Sequence, residues 1–136
     1  MISEFITEEN IELLFQKHCD YFIDACDTIS VKKELIRICK QRQIPMITCM
    51  GMGNKLDPSK IQVMELSKTS YDPIAKILRK MIKEEKIRGK IMTVCSSEVP
   101  KKTNSKEIAS NAIVPAVAGL YLADYIFKEI LKEKEV

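Results

Sequence analysis

Glycine is scarce in this chain, which has four glycines among its 136 residues. The patterns G-x-G-x-x-G and G-K-[ST] are both absent. These patterns form the glycine-rich turns that bind dinucleotide and nucleotide phosphates. Gly51 and Gly53, in the stretch GMGNKLDPSK, are therefore predicted to permit a tight turn rather than to bind phosphate.

Cysteine pairs at metal-binding spacing are also missing. The five cysteines include no C-x-x-C pair, so a tetrahedral zinc site is not expected. Their number is odd, no secretion signal precedes them, and most stand in apolar surroundings. Reduced thiols in a cytoplasmic protein fit this usage best.

Signals for secretion or for a membrane span are not recognisable either. The first ten residues, MISEFITEEN, are acidic and resemble neither a secretion signal nor a transit peptide. The most apolar segment, residues 112–127, contains Pro115 and Asp124. It is short for a membrane span. A buried helix is predicted instead, and no transmembrane segment is expected.

The composition itself is that of a globular protein, with 46% apolar and 30% charged residues. The length suits one domain, predicted over residues 1–136. The net charge of +3 is mild, but ten Lys and Arg residues stand against three acids over residues 76–106. That run is either a basic face for RNA or another polyanion, or a solvated helix face followed by a loop.

Hydrophobic periodicity predicts an α/β protein. The predicted strands are 21–25, 44–51, 61–66 and 91–97, and the predicted helices are 31–41, 71–85 and 113–134, with a further helix after Thr7 and a weak strand at 2–6. Asp72 and Pro73 are a typical start of a helix. The lysines and arginines of residues 31–41 are expected to point outward. The order strand, helix, strand over residues 21–51 predicts two parallel neighbours.

Two aspartates stand where the first strand ends, in the stretch YFIDACDTISVKKELI. Asp24, Asp27 and Thr28 are predicted to lie at the carboxyl end of this strand, where open α/β sheets bind ligands. A carboxylate there can hold Mg²⁺ on nucleotide phosphates. Lys32 follows Asp27 by about one helical turn and could pair with it or face phosphate. The alternative is structural: Asp27 or Ser30 caps the helix, and Asp24 is hydrogen-bonded locally.

Three other residues are weaker candidates for chemistry. His18 is the only histidine and is interpreted as a helix-end residue. Cys26 lies between the two aspartates, whose charge raises a thiol pKa, so it is expected to be a poor nucleophile. Cys95 ends a predicted strand and is the better candidate for a reactive thiol, although a packed cysteine is the more common case.

Longer motifs resemble one family. The stretch DYFIDACDTISVKKELIRICKQRQIPMI is followed by the pattern DP-x-x-I-Q-V-x-x-L-x-K-T-x-x-DP, and the stretches SSEVP and NAIVPAVAGLYLA come later. Together they resemble the tRNA threonylcarbamoyladenosine dehydratases of the ubiquitin-activating-enzyme-like superfamily, which includes ThiF, MoeB and HesA. The resemblance implies the C-terminal part of a Rossmann-like ThiF-type fold, a mixed sheet with flanking helices.

The resemblance also implies a chemistry. Family members use ATP and magnesium to activate the carboxylate of a threonylcarbamoyl group on tRNA, and loss of water then closes a ring. Asp27 matches the superfamily's catalytic aspartate, which is associated with ATP and magnesium. Asp24 and Thr28 would shape its turn, and Lys32 matches a basic position in the following helix.

The family's first half is not recognisable here. That half carries the glycine-rich loop, an arginine and a lysine near the phosphates, and an acid for the ribose. The chain is therefore expected to be a fragment, a truncated gene product or half of a split protein, inactive alone and weak in binding ATP. Exposed sheet-edge and helix surfaces are expected to recruit a partner, with a homodimer or higher oligomer foremost.

Two other functions stay open. The basic run and the missing loop favour a non-catalytic module that binds tRNA or a protein partner. Adenylation of a sulfur-carrier or ubiquitin-like protein is less favoured, because the zinc-binding cysteine pairs common in that branch are absent.

Overall fold

A computed structural model describes residues 1–101 and 109–134. These residues form four strands and three α-helices. The strands are β1 Phe22–Asp24, β2 Met46–Cys49, β3 Ile61–Glu65 and β4 Met92–Ser96, and the helices are α1 Ile29–Gln41, α2 Pro73–Glu84 and α3 Ile113–Lys134. Their order along the chain is β1, α1, β2, β3, α2, β4, α3. Short 3-10 helices lie at Ile11–Phe15, Pro58–Lys60 and Leu66–Lys68. The predicted order of strands and helices after residue 20 is confirmed.

The strands form one mixed sheet in the order β1-β2-β4-β3. β1 pairs in parallel with β2, and β2 pairs in parallel with β4. β3 runs antiparallel to β4. The carboxyl ends of β1, β2 and β4 therefore meet at one edge of the sheet, as the parallel pairing of the first two strands predicts.

The sheet buries side chains on both faces because its residues alternate in direction along each strand. Met46 and Cys95 pack with α1 and α2 on one face. Ile47 and Val94 pack with Val114 and its neighbours in α3 on the other face. This arrangement gives a three-layer structure with helices on both faces of the sheet, in agreement with the predicted fold class.

Two predictions at the amino end are wrong. Residues 2–6 form no strand, because a weak alternation without a neighbouring strand has no hydrogen-bond partners. The helix expected after Thr7 is a 3-10 helix that starts later, with Asn10 at its N-cap. Asn10 is instead hydrogen-bonded to Thr7, whose amide donates to its side chain at 2.7 Å.

The predicted helix near the carboxyl end has the predicted bounds, but it is not buried. Among the α3 residues only Val114, Ala118 and Leu122 are buried. Leu120 and Phe127 are 70% and 61% exposed. Hydropathy counts the apolar residues around the whole helix and carries no information about which face has a partner, so the prediction failed for the outer face.

The sheet ends at β1, which pairs only with β2 among the described residues. Ile23 in this strand is 44% exposed. The expected exposed sheet edge and apolar helix face are therefore both present. Within 1–101 and 109–134, no helix has the length and apolar character that a membrane crossing requires. Part of the basic run and of the polar loop, residues 102–108, lies outside the described residues.

Candidate functional site

A cavity of about 240 Å³ opens at the carboxyl edge of the sheet. Its walls come from five parts of the chain: the turn after β1, the first turn of α1, the segment after β2, the first turn of α2, and the amino-terminal half of α3. The lining residues are Ala25, Cys26, Asp27, Lys32, Cys49, Met50, Gly51, Met52, Ile74, Pro115, Gly119 and Leu122. The sheet topology therefore brings Asp27, Lys32 and Gly51 to one cavity, whereas Asp24 and Thr28 do not line it.

Asp24 lies behind this cavity in a buried polar cluster. Its Oδ2 accepts hydrogen bonds from Lys32 Nζ at 2.9 Å and from Thr48 Oγ at 2.6 Å. Its Oδ1 accepts from the amide of Cys26 at 3.0 Å. The parallel register places Asp24 beside Thr48 across the two strands. The local hydrogen bond expected for Asp24 is thus present, together with two that the sequence did not indicate.

Lys32 contradicts the prediction that the basic residues of α1 point outward. It is 1% exposed and also donates to the carbonyl of Cys49 at 2.7 Å. It pairs with Asp24, not with Asp27. The signal was available: Lys32 precedes Leu35, Ile36 and Cys39 by three, four and seven residues, so it lies on the buried stripe of the helix.

Asp27 is exposed at the mouth of the cavity. Among residues 1–101 and 109–134, its carboxylate makes no hydrogen bond or ion pair within the chain. The helix after it begins at Ile29 with Thr28 at the N-cap, and no side chain caps it. The alternative in which Asp27 or Ser30 caps this helix is therefore wrong.

A second buried ion pair lies at the same edge and was missed. Lys55 and Asp72 are both 1% exposed in their side chains, with Lys55 Nζ 3.6 Å from Asp72 Oδ2. Asp72 Oδ1 accepts from the amide of Ala75 at 2.8 Å, which confirms its predicted role as the cap of α2. Asp72 Oδ2 accepts from the amide of Gly51 at 3.0 Å. Lys55 donates to the carbonyl of Gly51 at 2.8 Å.

The thiols near the site have raised pKa values, which favour the neutral thiol over the nucleophilic thiolate. Burial raises the pKa of the Cys26 thiol to about 11, helped by its hydrogen bond to Asp24 and by that carboxylate's charge. The prediction for Cys26 is confirmed, although burial contributes more than charge. Burial also raises the pKa of Cys49 to about 11. Cys95 is 2% exposed, and burial raises its pKa, so it is a packed cysteine rather than a reactive one.

His18 has no place in the cavity. It is exposed and contacts Asp20 at 2.9 Å, beyond the 3-10 helix that ends at Phe15. It therefore lies near the end of a helix, as its sequence position suggests.

The donor set suits a magnesium ion that is shared with phosphate. Asp27 offers hard carboxylate oxygens, the ligands that Mg²⁺ prefers. Over the residues that the structure covers, no cluster of three or more His, Cys, Asp or Glu side chains could hold a metal by itself. One carboxylate together with phosphate oxygens and water is an ordinary magnesium environment. The residues present therefore fit a nucleotide-bound magnesium and not a metal held by the protein alone.

The chain is similar to characterised proteins along almost its whole length. It is 38% identical over 152 aligned residues to the tRNA threonylcarbamoyladenosine dehydratase of Bacillus subtilis, an alignment that covers 99% of this chain and 60% of that protein. The Escherichia coli enzyme of the same name is 36% identical over 85 residues, covering 62% of this chain and 32% of that protein. No protein-family model matches the chain.

Solved structures agree with the sequence comparison. The crystal structure of E. coli tRNA N6-threonylcarbamoyladenosine dehydratase in complex with ATP superposes with a TM-score of 0.87 at 28% identity, over 98% of this chain and 57% of that chain. The chain is homologous to part of the tRNA threonylcarbamoyladenosine dehydratases. The same enzyme has been solved with AMP, at the same TM-score and identity.

The homology has a defined extent. The chain spans about 60% of the B. subtilis dehydratase, and it corresponds to the carboxyl-terminal portion of these relatives. ATP-bound HcgE from Methanothermobacter marburgensis, with a TM-score of 0.64 at 21% identity, shares the fold. The resemblance to the dehydratase family and its ThiF-type fold is therefore confirmed over the matched part of the fold.

Proposed function

We propose that this chain is part of an ATP-dependent tRNA threonylcarbamoyladenosine dehydratase. The observation that carries the proposal is the exposed carboxylate of Asp27 at the mouth of the carboxyl-edge cavity, which has no protein partner within residues 1–101 and 109–134. The dehydratase relatives and the ATP- and AMP-bound structures described above support it. The reaction class is activation of a carboxylate as an acyl adenylate, which would release pyrophosphate, followed by attack of a nearby nitrogen on the acyl carbon, which would release AMP. The oxygen that is lost as water in the net dehydration leaves on AMP.

Asp27 is the residue we assign to catalysis. Its carboxylate would hold magnesium against the nucleotide phosphates, where negative charge develops during adenylation. Bound ATP supplies the electrophilic phosphorus for that step. Thr28, at the N-cap of α1, is proposed to shape the nucleotide site together with Asp24 and Lys32. Because Asp24 and Lys32 are paired with each other, they would fix the turn that carries Asp27.

The phosphate-binding backbone is proposed to come from outside this sequence. The chain spans 60% of the B. subtilis relative, and its sequence has no glycine-rich loop pattern. Such a loop at a helix N-terminus supplies most of the amide donors to phosphate. We infer that a segment equivalent to the rest of the relatives completes the site. Without it, the chain would bind ATP weakly and would not catalyse the reaction.

The proposed substrate is tRNA, and α2 offers a surface for it. Lys76, Lys80 and Lys83 are exposed and recur every three or four residues, so they form a row about 10 Å long on one face of the helix. The row starts one turn after Asp72, close to the cavity. A line of lysines of this length suits the spacing of backbone phosphates better than it suits a small anion.

A homo-oligomer is proposed for a separate reason. On the outer face of α3, Ile113, Leu120 and Phe127 recur every seven residues and are 61%, 70% and 61% exposed. Ala116 and Ala123 stand between them. Apolar residues at this spacing form the seam of paired helices. In an antiparallel pair related by two-fold symmetry, each large side chain would meet a small one of the other copy.

A cytoplasmic location is proposed from the cysteines. All five are free and partly or fully buried. Free thiols in apolar surroundings persist in a reducing compartment.

Calorimetric titration with Mg·ATP tests the nucleotide site. The unaltered chain, Asp27→Ala and the matched control Asp20→Ala would be compared, since the Asp20 side chain is 80% exposed and, among the described residues, is hydrogen-bonded only to His18. Weak binding that is lost in Asp27→Ala and kept in Asp20→Ala supports the proposal. Equal binding by all three removes Asp27 from the site. Absence of dehydratase activity on modified tRNA in the full-length source protein would overturn the proposed function.

A non-catalytic module that binds tRNA is the second candidate. The lysine row of α2 favours it, because this surface does not depend on the further segment that we infer to complete the nucleotide site. It predicts tRNA binding by the chain alone that weakens steeply between about 50 and 200 mM salt, a standard range for such tests. Binding no stronger than that of Lys76→Ala/Lys80→Ala/Lys83→Ala would remove the row as the binding surface. Adenylation of a sulfur-carrier protein has no observation in its favour among the described residues.

A further inference from the structure

The segment that leaves β2, Cys49–Gly51, forms part of the cavity wall and is called here the β2 exit segment. Hydrogen bonds hold it at several peptide groups. Lys32 donates to the carbonyl of Cys49 at 2.7 Å. The amide of Met50 donates to the carbonyl of Val94 at 2.8 Å. The first part of the segment is thus tied to α1 and to β4.

The last part is held by the buried Lys55–Asp72 pair, which contacts Gly51 from both sides of its backbone. Asp72 accepts from the Gly51 amide at 3.0 Å, and Lys55 donates to the Gly51 carbonyl at 2.8 Å. A Cβ at position 51 would lie 3.2 Å from Asp72 Oδ2. A residue with a Cβ at position 51 would therefore make a tight contact with Asp72.

Stability alone is a poor explanation for Lys55. A buried ion pair is weak evidence for stability, because desolvation of both charges opposes their attraction. Asp72 would cap α2 and accept from Gly51 without a lysine beside it. The side-chain contacts that Lys55 adds are the ion pair with Asp72 and the hydrogen bond to the Gly51 carbonyl.

We propose that Lys55, paired with Asp72, is a positioning residue for the nucleotide site. It holds the Gly51 peptide so that the β2 exit segment keeps the cavity open beside Asp27. Lys55 does not line this cavity, so it acts through the backbone and not by contact with a ligand. The role in nucleotide binding rests on the proposed function, whereas the hold on Gly51 does not.

The test compares Lys55→Met with Lys40→Met. Lys40 is a matched control because it also donates to a backbone carbonyl, that of Lys90 at 2.5 Å, away from the carboxyl-edge cavity. Amide exchange of Gly51 is measured by NMR on the labelled chain, and Mg·ATP is titrated in the same samples. In Lys55→Met we expect Gly51 to exchange at least tenfold faster and the Mg·ATP affinity to fall at least tenfold. Neither changes in Lys40→Met.

A second variant keeps the proposal testable if Lys55→Met does not fold. Lys55→Met/Asp72→Asn removes both charges, so no buried charge is left unpaired. The asparagine side chain introduced by Asp72→Asn can still cap α2, because one side-chain oxygen remains for the amide of Ala75. Asp72→Asn alone is its control, because this substitution removes the acceptor of the Gly51 amide whether or not Lys55 is present. Exchange at Gly51 should be faster, and Mg·ATP binding weaker, in the double variant than in Asp72→Asn.

The outcomes separate this inference from the proposed function. If the amide of Gly51 exchanges at an unchanged rate in the folded variants, Lys55 does not hold the Gly51 peptide. Faster exchange with unchanged Mg·ATP affinity overturns the positioning role. If Mg·ATP causes no chemical-shift change in the unaltered chain, the chain alone does not bind the nucleotide, and the proposed nucleotide site is contradicted for the chain alone. The exchange rate of Gly51 still decides whether Lys55 holds the Gly51 peptide.

Discussion

The ion pairs of this protein fall into two groups in different parts of the molecule. At the carboxyl edge of the sheet, the side chains of Asp24 and Lys32 are 0% and 1% exposed, and those of Lys55 and Asp72 are each 1% exposed. Away from that edge, Arg42 and Glu12 form a pair that is 40% and 63% exposed. The chemical groups are alike, but their surroundings differ.

The difference shows what each group can do. A surface pair is screened by water and salt, and it adds little to stability. A buried pair must satisfy its remaining hydrogen bonds, so its geometry is determined by its neighbours. Both buried pairs here also contact the backbone of the β2 exit segment. The buried pairs at the carboxyl edge therefore hold the backbone in a defined geometry, whereas the exposed pairs contribute little to the structure.

The largest expected effect comes from breaking the first buried pair. Asp24→Ala leaves the ammonium of Lys32 buried without a carboxylate, and we expect a loss of about 3–5 kcal/mol in the free energy of unfolding. Urea denaturation measures it. Asp20→Ala is the same substitution at an exposed position and should change stability by less than about 0.5 kcal/mol. Similar losses in both variants would mean that burial does not distinguish the two groups.

The pH dependence of thiol reactivity is the next test. Burial raises the pKa of Cys26 and of Cys49 to about 11, from 9.0. The raised pKa favours the neutral thiol in the folded chain, so labelling should be slow at about pH 8 and should accelerate by about tenfold per pH unit until about pH 11. The same shift means that stability is lost as pH rises from about 9 to about 11.

Cys19 is the internal control for that measurement. It lies before β1, away from the carboxyl-edge cavity, and burial raises its pKa from 9.0 to a smaller extent. Mass spectrometry of the labelled peptides should show Cys19 modified before Cys26 and Cys49. Equal labelling rates of the three thiols at neutral pH would contradict the difference between the two regions.

A smaller effect is expected from the hydroxyl that joins the first pair. Thr48→Val removes the donor to Asp24 Oδ2, a hydrogen bond to a charged group, and should cost about 1.5–3 kcal/mol. Thr93 lies beside Thr48 in the register and is equally buried, but it donates to the carbonyl of Met64. Thr93→Val should cost about 0.5–1.5 kcal/mol. A larger loss of stability in Thr93→Val than in Thr48→Val, measured by urea denaturation, would show that the charge of Asp24 does not strengthen its hydrogen bond with Thr48.

The smallest effect is expected at the exposed pair. Glu12→Gln removes the charge that faces Arg42 and should lower the free energy of unfolding by less than about 1 kcal/mol. In about 1 M NaCl this difference should shrink further, because exposed charges are screened. Asp24→Ala should keep its full effect in the same salt. A loss at Glu12 as large as that at Asp24 would contradict the comparison.

Most of the fold could be predicted from local signals. The 3.6-residue stripes of α1 and α2 and the Asp72–Pro73 start gave the helices to within about two residues. The apolar runs gave the four strands after residue 20. The failures have a common cause: the weak strand at 2–6 lacked a neighbour, and the outer face of α3 lacks one among the described residues. A pattern in the chain carries no information about what lies next to it.

The site was predicted in part. Asp24 and Asp27 were placed at the correct edge because parallel strands end together. Spacing could not separate their roles, since both are aspartates in one short turn, and only the resemblance to the family assigned them different roles. Only the structure shows that Asp24 is 2% exposed and paired, whereas Asp27 is exposed.

The sequence by itself determined the types of the elements, the edge where the aspartates lie, and the motifs shared with the dehydratases, because all three depend on neighbours along the chain. Tertiary structure alone decided which acceptors the buried lysines meet. Lys32 of α1 donates a hydrogen bond to Thr48 of β2, and Lys55 pairs with Asp72 beside the Gly51 peptide. A lysine is buried only when other elements bring it an acceptor, and that arrangement exists only after the chain has folded.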